Sequence, residues 1–302
     1  MSTPTDATPS VRCWKDTELL GTISSVIREN REHLRSTFPS AKEVLVHLGR
    51  IGWTHPIEVD VPTKGRPVKF YLVDMEAGPK ERVHPLELLQ AYLPGGVVCY
   101  FSALSHHGLT TQIPAQHHIA RIIPPKDMEQ ASTSPTSEQA EGTGDTPGRN
   151  PLGTEIFRFE DVTFYITKRD ASLVPGVQVR VLSPRSRVRI TTFEQTLLDT
   201  LLQPVRCGGV SIAMEAWEKG IEQLDADQMA NHLKKIGREG LGRRVGAMVD
   251  VLATDVGGTS LGAALKEIKG RVAQSGAEME EIPLLPGFDF CRSNNSWKVR
   301  IP

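Results

Sequence analysis

The chain of 302 residues has few cysteines and no long apolar run, and each absence excludes a class of protein. Its four cysteines lie far apart, so no CxxC pair is present to bind zinc or form a redox pair, and we interpret them as reduced, mostly buried thiols. No stretch approaches the roughly 20 apolar residues of a membrane helix, and the N-terminus lacks a signal-peptide pattern. We therefore expect a cytoplasmic protein without a membrane partner.

Net charge and nucleotide-binding motifs are also lacking. The formal net charge is −1, so any contact with nucleic acid must come from a local basic patch. No GxxxxGK[ST] loop occurs, and no compact pair of carboxylates could hold two metal ions for nucleotidyl transfer. We accordingly predict no catalytic residue and no cofactor.

Four histidines, His106, His107, His117 and His118, are the strongest hint of a metal site. Neighbouring residues diverge by about 100° on a helix and point to opposite faces of a strand, so the members of each pair cannot converge on one ion. Ser105 beside His106 is no better as a nucleophile and base, because sequence neighbours rarely meet within hydrogen-bonding reach. We predict no metal site.

The first 80 residues predict two helices followed by a basic hairpin, the order of a winged helix. Apolar residues recur at helical spacing from Leu19 to Leu34, and Ser40 with Glu43 forms a capping-box pattern that opens a second helix. The runs 57–61 and 68–73 alternate as strands around a basic turn. The candidate DNA-binding residues on this helix and hairpin are Lys42, His47, Arg50, Lys64, Arg66 and Lys69.

The fold class expected for the whole chain is α+β, that is mixed α/β, with a winged-helix-like domain at 11–80 after a disordered tail at 1–10. The larger domain, 81–302, should contain a small sheet and a helical C-terminal part. Residues 126–153 are rich in Ser, Thr, Gly and Pro and predict a disordered insertion. Because the strand around Ile119 should pair with strands beyond the insertion, it lies within a domain. The last segment, 294–302, should dock as an edge strand.

A second basic run lies between residues 180 and 189. Alternate residues of a strand share a face, so Arg185, Arg187 and Arg189 could project together as a C-terminal basic patch. Such a patch would suit an acidic partner, either a protein surface or the DNA backbone. A solvated strand surface is the alternative interpretation.

Two segments carry a family resemblance: YFSALSHHGLTTQIP at 100–114 and ITTFEQTLLDTLLQPVRCGG at 190–209. Each predicts a short amphipathic helix that ends at a Gly or Pro turn. They resemble the paired signature blocks of the AbiEi-type antitoxins of type IV abortive-infection toxin–antitoxin systems, through the "HGL" and "IP" turn, the "TLLD" helix and the "CGG" turn. The resemblance covers the chain from about residue 84 onward.

That resemblance implies a DNA-binding antitoxin without enzymatic activity. The N-terminal winged helix would bind inverted repeats in the operator of its own promoter, and the C-terminal domain would neutralise a cognate nucleotidyltransferase-like toxin in a phage-defence system. Two alternatives stay open: an enzyme of phage defence, such as a nuclease or nucleotide-processing protein, and a transcriptional regulator without a toxin partner. The oligomeric state stays open as well.

Overall fold

The computed structural model describes residues 12–30, 40–62, 68–73, 83–124, 150–183, 185–275 and 278–302, and it has the expected mixed α/β fold. The predicted tail at 1–10 lies outside these ranges. Of the predicted insertion, residues 126–149 also lie outside them, whereas residues 150–153 form a turn that leads into the next strand. Within the described ranges, no helix is both long and apolar enough to cross a bilayer.

The N-terminal unit is a three-stranded antiparallel sheet covered by two helices. Its elements are β1 (Cys13–Lys15), α1 (Asp16–Glu29), α2 (Ala41–Arg50), β2 (Thr54–Ile57) and β3 (Phe70–Val73). The strand order is β1-β3-β2. The helices meet through Leu19, Ile23 and Leu45, which are the buried members of their amphipathic faces.

One strand of this unit differs from the sequence prediction. The first strand of the hairpin was expected at 57–61, but β2 ends at Ile57. Asp60 instead forms a bridge to Arg158, with backbone hydrogen bonds of 2.9 and 2.6 Å. The alternating pattern of 57–61 is therefore explained by contact with a distant strand, which sequence periodicity alone does not reveal.

The central sheet has six strands in the order β6-β7-β5-β4-β9-β8. They are β4 (Val97–Cys99), β5 (Gln116–Ile123), β6 (Thr154–Phe159), β7 (Val162–Asp170), β8 (Val177–Ser183) and β9 (Ser186–Thr191). β5 runs parallel to β7, with Ile119 opposite Ile166. The predicted pairing across the Ser- and Thr-rich segment is thus confirmed.

Helices cover both faces of this sheet. They are α3 (Pro85–Tyr92), α4 (Phe101–His106), α5 (Phe193–Leu202), α6 (Val210–Gly220), α7 (Ala226–Ile236), α8 (Glu239–Val251) and α9 (Ser260–Ser275). Asp225 caps α7, because its carboxylate accepts from the backbone N–H groups of Asp227 and Gln228. From Glu194 to Leu202, every residue of α5 is buried, so this helix forms the centre of the larger core.

A small sheet closes the C-terminal part, formed by β10 (Ile282–Pro283), β11 (Arg292–Asn294) and β12 (Val299–Ile301) in the order β10-β12-β11. The prediction that the last segment is an edge strand was wrong: β12 is central, because β10 and β11 pair with its two sides. Trp297 packs directly over Gly246 of α8, where any side chain would overlap its indole ring. This glycine therefore permits close packing of helix and ring.

The N-terminal unit and the central sheet share one apolar cluster. Cys13, Phe70 and Leu72 are buried with Leu86 and Phe157, on the side of the sheet that α3 covers. The Phe70 and Phe157 rings meet edge to face with centroids 5.2 Å apart. The predicted boundary at 80/81 therefore separates chain segments that pack against a common core.

A buried ion pair crosses the same junction. The Arg12 guanidinium lies 3.0 Å from the Glu87 carboxylate of α3, and their side chains are 9% and 1% exposed. The Glu87 carboxylate also accepts from the backbone N–H of His84, completing a capping box at the start of α3. One carboxylate thus caps a helix and neutralises a cation from the other unit.

We expect the substitution Glu87→Gln to lower the free energy of unfolding by about 3 kcal/mol, because it removes the negative charge that lies 3.0 Å from the buried Arg12 guanidinium. Urea denaturation measures this loss. The matched control is Glu43→Gln in the exposed capping box of α2, where Glu43 bonds Ser40, and it should cost less than about 1 kcal/mol. Equal losses in the two variants would contradict a role for Glu87 in joining the units.

Candidate nucleic-acid interface and the basic hairpin

The outer face of α2 carries three of the predicted DNA-binding residues. The Ser40 hydroxyl accepts from the Glu43 N–H and begins the helix as expected. Leu45 points into the N-terminal core, and Lys42, His47 and Arg50 are exposed. His47 and Arg50 are one turn apart and share a face.

The other three predicted residues belong to the hairpin. Lys69 is exposed immediately before β3, and its backbone carbonyl accepts from the N–H of Asp16 at 2.8 Å. This bond places Lys69 beside the first turn of α1. Lys64 and Arg66 lie outside the described residues. The structure thus presents Lys42, His47, Arg50 and Lys69 on the surface of the N-terminal unit.

The C-terminal basic patch lies on the hairpin of β8 and β9, which forms one edge of the central sheet. Arg187 pairs with Val181 and Arg189 with Val179, so these two arginines and two valines share one face. Arg187 is exposed, whereas Arg189 is half-buried and donates from its guanidinium to the Gly95 carbonyl at 3.0 Å.

Arg185 differs from the other two arginines because it precedes β9 and lies in the turn of the hairpin. The expectation that all three project from one strand face is therefore met only by Arg187 and Arg189. Arg180 is also exposed, at the middle of β8. Val179 and Val181 beside it are 47% and 62% exposed.

One histidine pair diverges as predicted. His117 and His118 point to opposite faces of β5: His117 packs near Phe164, and His118 stacks on Tyr165 with ring centroids 5.4 Å apart. The His106 and His107 rings instead meet edge to face with centroids 5.5 Å apart, and His107 donates from Nε2 to the Thr191 carbonyl at 2.8 Å. In the described part of the chain, no group of three or more His, Cys, Asp or Glu side chains is arranged to hold a metal ion.

A cleft of about 280 Å³ nevertheless brings distant histidines together. It is lined by His84, Leu86, Ser102, Ser105, His106 and His117. The Ser102 hydroxyl lies 3.1 Å from Nδ1 of His117, a pair that sequence reasoning missed because 15 positions separate the two residues. Ser102 is 1% exposed and also accepts from the His118 N–H at 2.8 Å.

The geometry of this serine and histidine favours a structural bond over nucleophilic catalysis. No carboxylate is present among the described residues lining the cleft, so nothing there orients the imidazole as a base. Burial lowers the pKa of His117 to about 4, which makes it a weak proton acceptor at neutral pH. The Ser102 hydroxyl instead joins α4 to β5.

The two signature blocks meet on the face of the central sheet opposite the one that α3 covers. Arg169 of β7 forms a two-bond ion pair with Asp199 of the "TLLD" helix, with N–O distances of 2.7 and 2.6 Å, and both side chains are at most 5% exposed. The Arg169 and Arg206 guanidinium carbons lie 4.9 and 5.5 Å from the centroid of the Tyr100 ring. Block one therefore contributes a ring, and block two a carboxylate and a second cation.

The two cysteines near this junction have unreactive thiols. Burial raises the pKa of Cys99 to about 12 and that of Cys207 well above its ordinary value, so both stay protonated. Cys207 begins the "CGG" turn, in which Gly208 and Gly209 have φ angles of 97° and 91°. Side chains other than glycine's rarely adopt such angles, which explains this pair of glycines.

The turn that ends the first block is clamped by a residue the sequence analysis did not identify. The Glu215 carboxylate of α6 accepts from the Thr110 hydroxyl and from the Thr111 N–H and hydroxyl, each at 2.8 Å. Hydrogen bonds from Lys219, Thr110 and Thr111 lower the pKa of Glu215 to about 2. No local signal predicts this contact, because more than 100 positions separate the partners.

No family model matches the chain, and no curated protein matches it. The structure is similar to the crystal structure of the RV2827C protein from Mycobacterium tuberculosis, with a TM-score of 0.48 and 13% sequence identity over 97% of this chain and 94% of that chain.

Two buried histidines and the half-buried His107 should make the folded protein sensitive to mild acid. Burial lowers the pKa of His107 and His117 to about 4 and that of His118 to about 3, from an ordinary value of 6.5. Below pH 6.5 each imidazole becomes protonated in the unfolded state, whereas in the folded state it stays neutral until the pH approaches its lowered pKa. Stability is therefore complete above the ordinary pKa and decreases as the pH falls towards the folded values.

We expect His107→Gln to reduce the difference in unfolding free energy between about pH 7 and about pH 5, because one of the three protonation steps is removed. Urea titrations at the two pH values measure the difference. His47→Gln, at an exposed position of α2, is the matched control and should leave the difference as it is in the wild type. If His107→Gln kept the wild-type pH dependence, His107 would not be a source of the acid sensitivity.

Proposed function

We propose that this protein is a cytoplasmic DNA-binding antitoxin that represses its own operon and neutralises a nucleotidyltransferase-like toxin, without enzymatic activity. The observation that carries the DNA-binding part is the pair of exposed cations on α2, Lys42 and Arg50, in a unit ordered β1-α1-α2-β2-β3. In a winged helix, the second of two such helices enters the major groove and the β2–β3 hairpin contacts the backbone. The resemblance to AbiEi-type antitoxins supports the same assignment.

The positions of the basic residues suit backbone contacts. Lys42 and Arg50 lie at opposite ends of α2, so they can reach phosphates on the two sides of a groove, while His47 lies between them. Lys69 adds a cation where the hairpin enters β3. Because the net charge of the chain is −1, only such a local patch provides attraction to DNA.

The double substitution Lys42→Ala with Arg50→Ala should weaken binding to the chain's own promoter DNA and lower the slope of log K against log salt by about two units, one per lost phosphate contact. Gel shift or fluorescence anisotropy over a salt series measures both effects. The control is Arg292→Ala with Lys266→Ala, which removes the same charge from exposed positions in the C-terminal part. Equal slopes in the two double variants would contradict an interface on α2.

Neutralisation should be separable from repression in the full-length chain. The full length is needed because Phe70 and Leu72 share a core with α3, and a fragment beginning near residue 81 would expose that core. We expect the Lys42→Ala, Arg50→Ala protein to lose repression of a promoter reporter. It should still rescue growth of cells that express the nucleotidyltransferase-like toxin encoded beside it.

A variant in which the larger core is unfolded serves as the reference for complete loss of growth rescue. Leu197 of α5 is fully buried, so Leu197→Asp should cost several kcal/mol and abolish rescue. If the DNA-binding double variant remained folded but also failed to rescue, neutralisation would depend on repression, and the proposed division of labour would be wrong.

A further inference from the structure

The edge strand β8 differs chemically from an ordinary solvated strand. It lies at the end of the six-strand order, and among the described residues no strand pairs with its outer side. Val179 and Val181 expose about half or more of their surface on one face, and Arg180 is exposed on the other. An accessible strand edge of this kind is a template for pairing with an extended chain.

The charge around the edge is of one sign. From Val177 to Arg189, the hairpin contains Arg180, Arg185, Arg187 and Arg189 and no Asp or Glu. Arg187 lies opposite Val181, on the face that carries the exposed valines. The hairpin therefore combines exposed β-branched apolar side chains with charged residues that are all arginines, and a strand that alternates apolar and acidic residues complements both properties.

Two other occupants of this edge, a second copy of the chain and nucleic acid, are disfavoured by the residues of β8. Arg180 is the middle residue of β8, so full-length antiparallel pairing with a second copy would place Arg180 directly opposite Arg180, and like charges at such positions are destabilising. Nucleic acid would contact the arginines but would gain nothing from covering Val179 and Val181. A protein segment uses both.

We propose that β8 is the docking edge for an extended acidic segment of the toxin partner, which adds a seventh strand to the central sheet. Residues of this segment opposite Val179 and Val181 are apolar, and those opposite Arg180 are Asp or Glu, because the side chains of paired strands meet on the same face. This inference deepens the proposed function and rests on it for the identity of the partner.

The test uses short fluorescent peptides and the full-length protein. One peptide alternates Val and Glu, and the other alternates Val and Lys. The wild type should bind the Val–Glu peptide at least about tenfold more tightly than the Val–Lys peptide in anisotropy titrations. Hydrogen exchange should slow in residues 177–183 when the Val–Glu peptide is bound, because its backbone pairs with β8.

Reversing the central charge provides a readout that misfolding cannot imitate. Arg180→Glu should reverse the preference, so that the Val–Lys peptide binds more tightly. The matched control is Arg292→Glu. Arg292 is exposed on β11, an edge strand of the small C-terminal sheet, and this variant should keep the wild-type preference for the Val–Glu peptide.

Three results would overturn the proposal. In the first, the wild type does not discriminate between the peptides, or Arg180→Glu keeps the wild-type preference. In the second, the protein sediments as a dimer that dissociates in Val181→Lys, which would assign the edge to a second copy. In the third, neither peptide binds while Arg180→Glu lowers the salt slope of promoter binding, which would assign the hairpin to DNA. Promoter binding by the wild type is measured separately, so failure at β8 is distinguishable from failure of the DNA-binding function.

Discussion

The ion pair between Arg169 and Asp199 is the interaction on which the larger core depends. Both groups have lost their water, and the cost is offset only because the guanidinium and carboxylate meet through two hydrogen bonds and Gln195 donates a third to the carboxylate. The pair fixes α5 against the central sheet. Since almost all of α5 is buried, the helices that follow must pack around that position.

The same junction brings the two signature blocks into contact. Tyr100, at the start of α4, has a φ angle of 57°, which is unfavourable for a residue with a side chain and costs on the order of 1–3 kcal/mol. The guanidinium groups of Arg169 and Arg206 both lie over its ring, and its hydroxyl accepts from Arg206 at 3.2 Å. These contacts stabilise the turn that begins the first block.

The shared core places the two basic surfaces in one body. β1 and β3 pack with α3, and α3 in turn contacts β5 and β9 of the central sheet. The exposed face of α2 and the β8–β9 hairpin are therefore connected through packed elements. A chain with a net charge of −1 thus carries its positive charge in separate local patches, each suited to a different kind of acidic partner.

Local chemistry was sufficient to predict several features from the sequence: the Ser40 cap, the divergence of His117 and His118 and the glycine turn after Cys207. Each depends on residues within a few positions of one another, where helix and strand periodicity decide direction. The strand pairing across the Ser- and Thr-rich segment was also predictable from alternation on its two sides.

Long-range contacts were decided only by the tertiary structure. Ser102 meets His117, Glu215 clamps Thr111, and Asp60 bridges Arg158 across intervals that carry no periodic signal. The central place of β12 and the engagement of Arg189 with Gly95 belong to the same class. The amino-acid pattern determines which face of an element is apolar. The element that packs against that face is decided by the whole chain, because buried charges must be paired and the core must be closely packed at the same time.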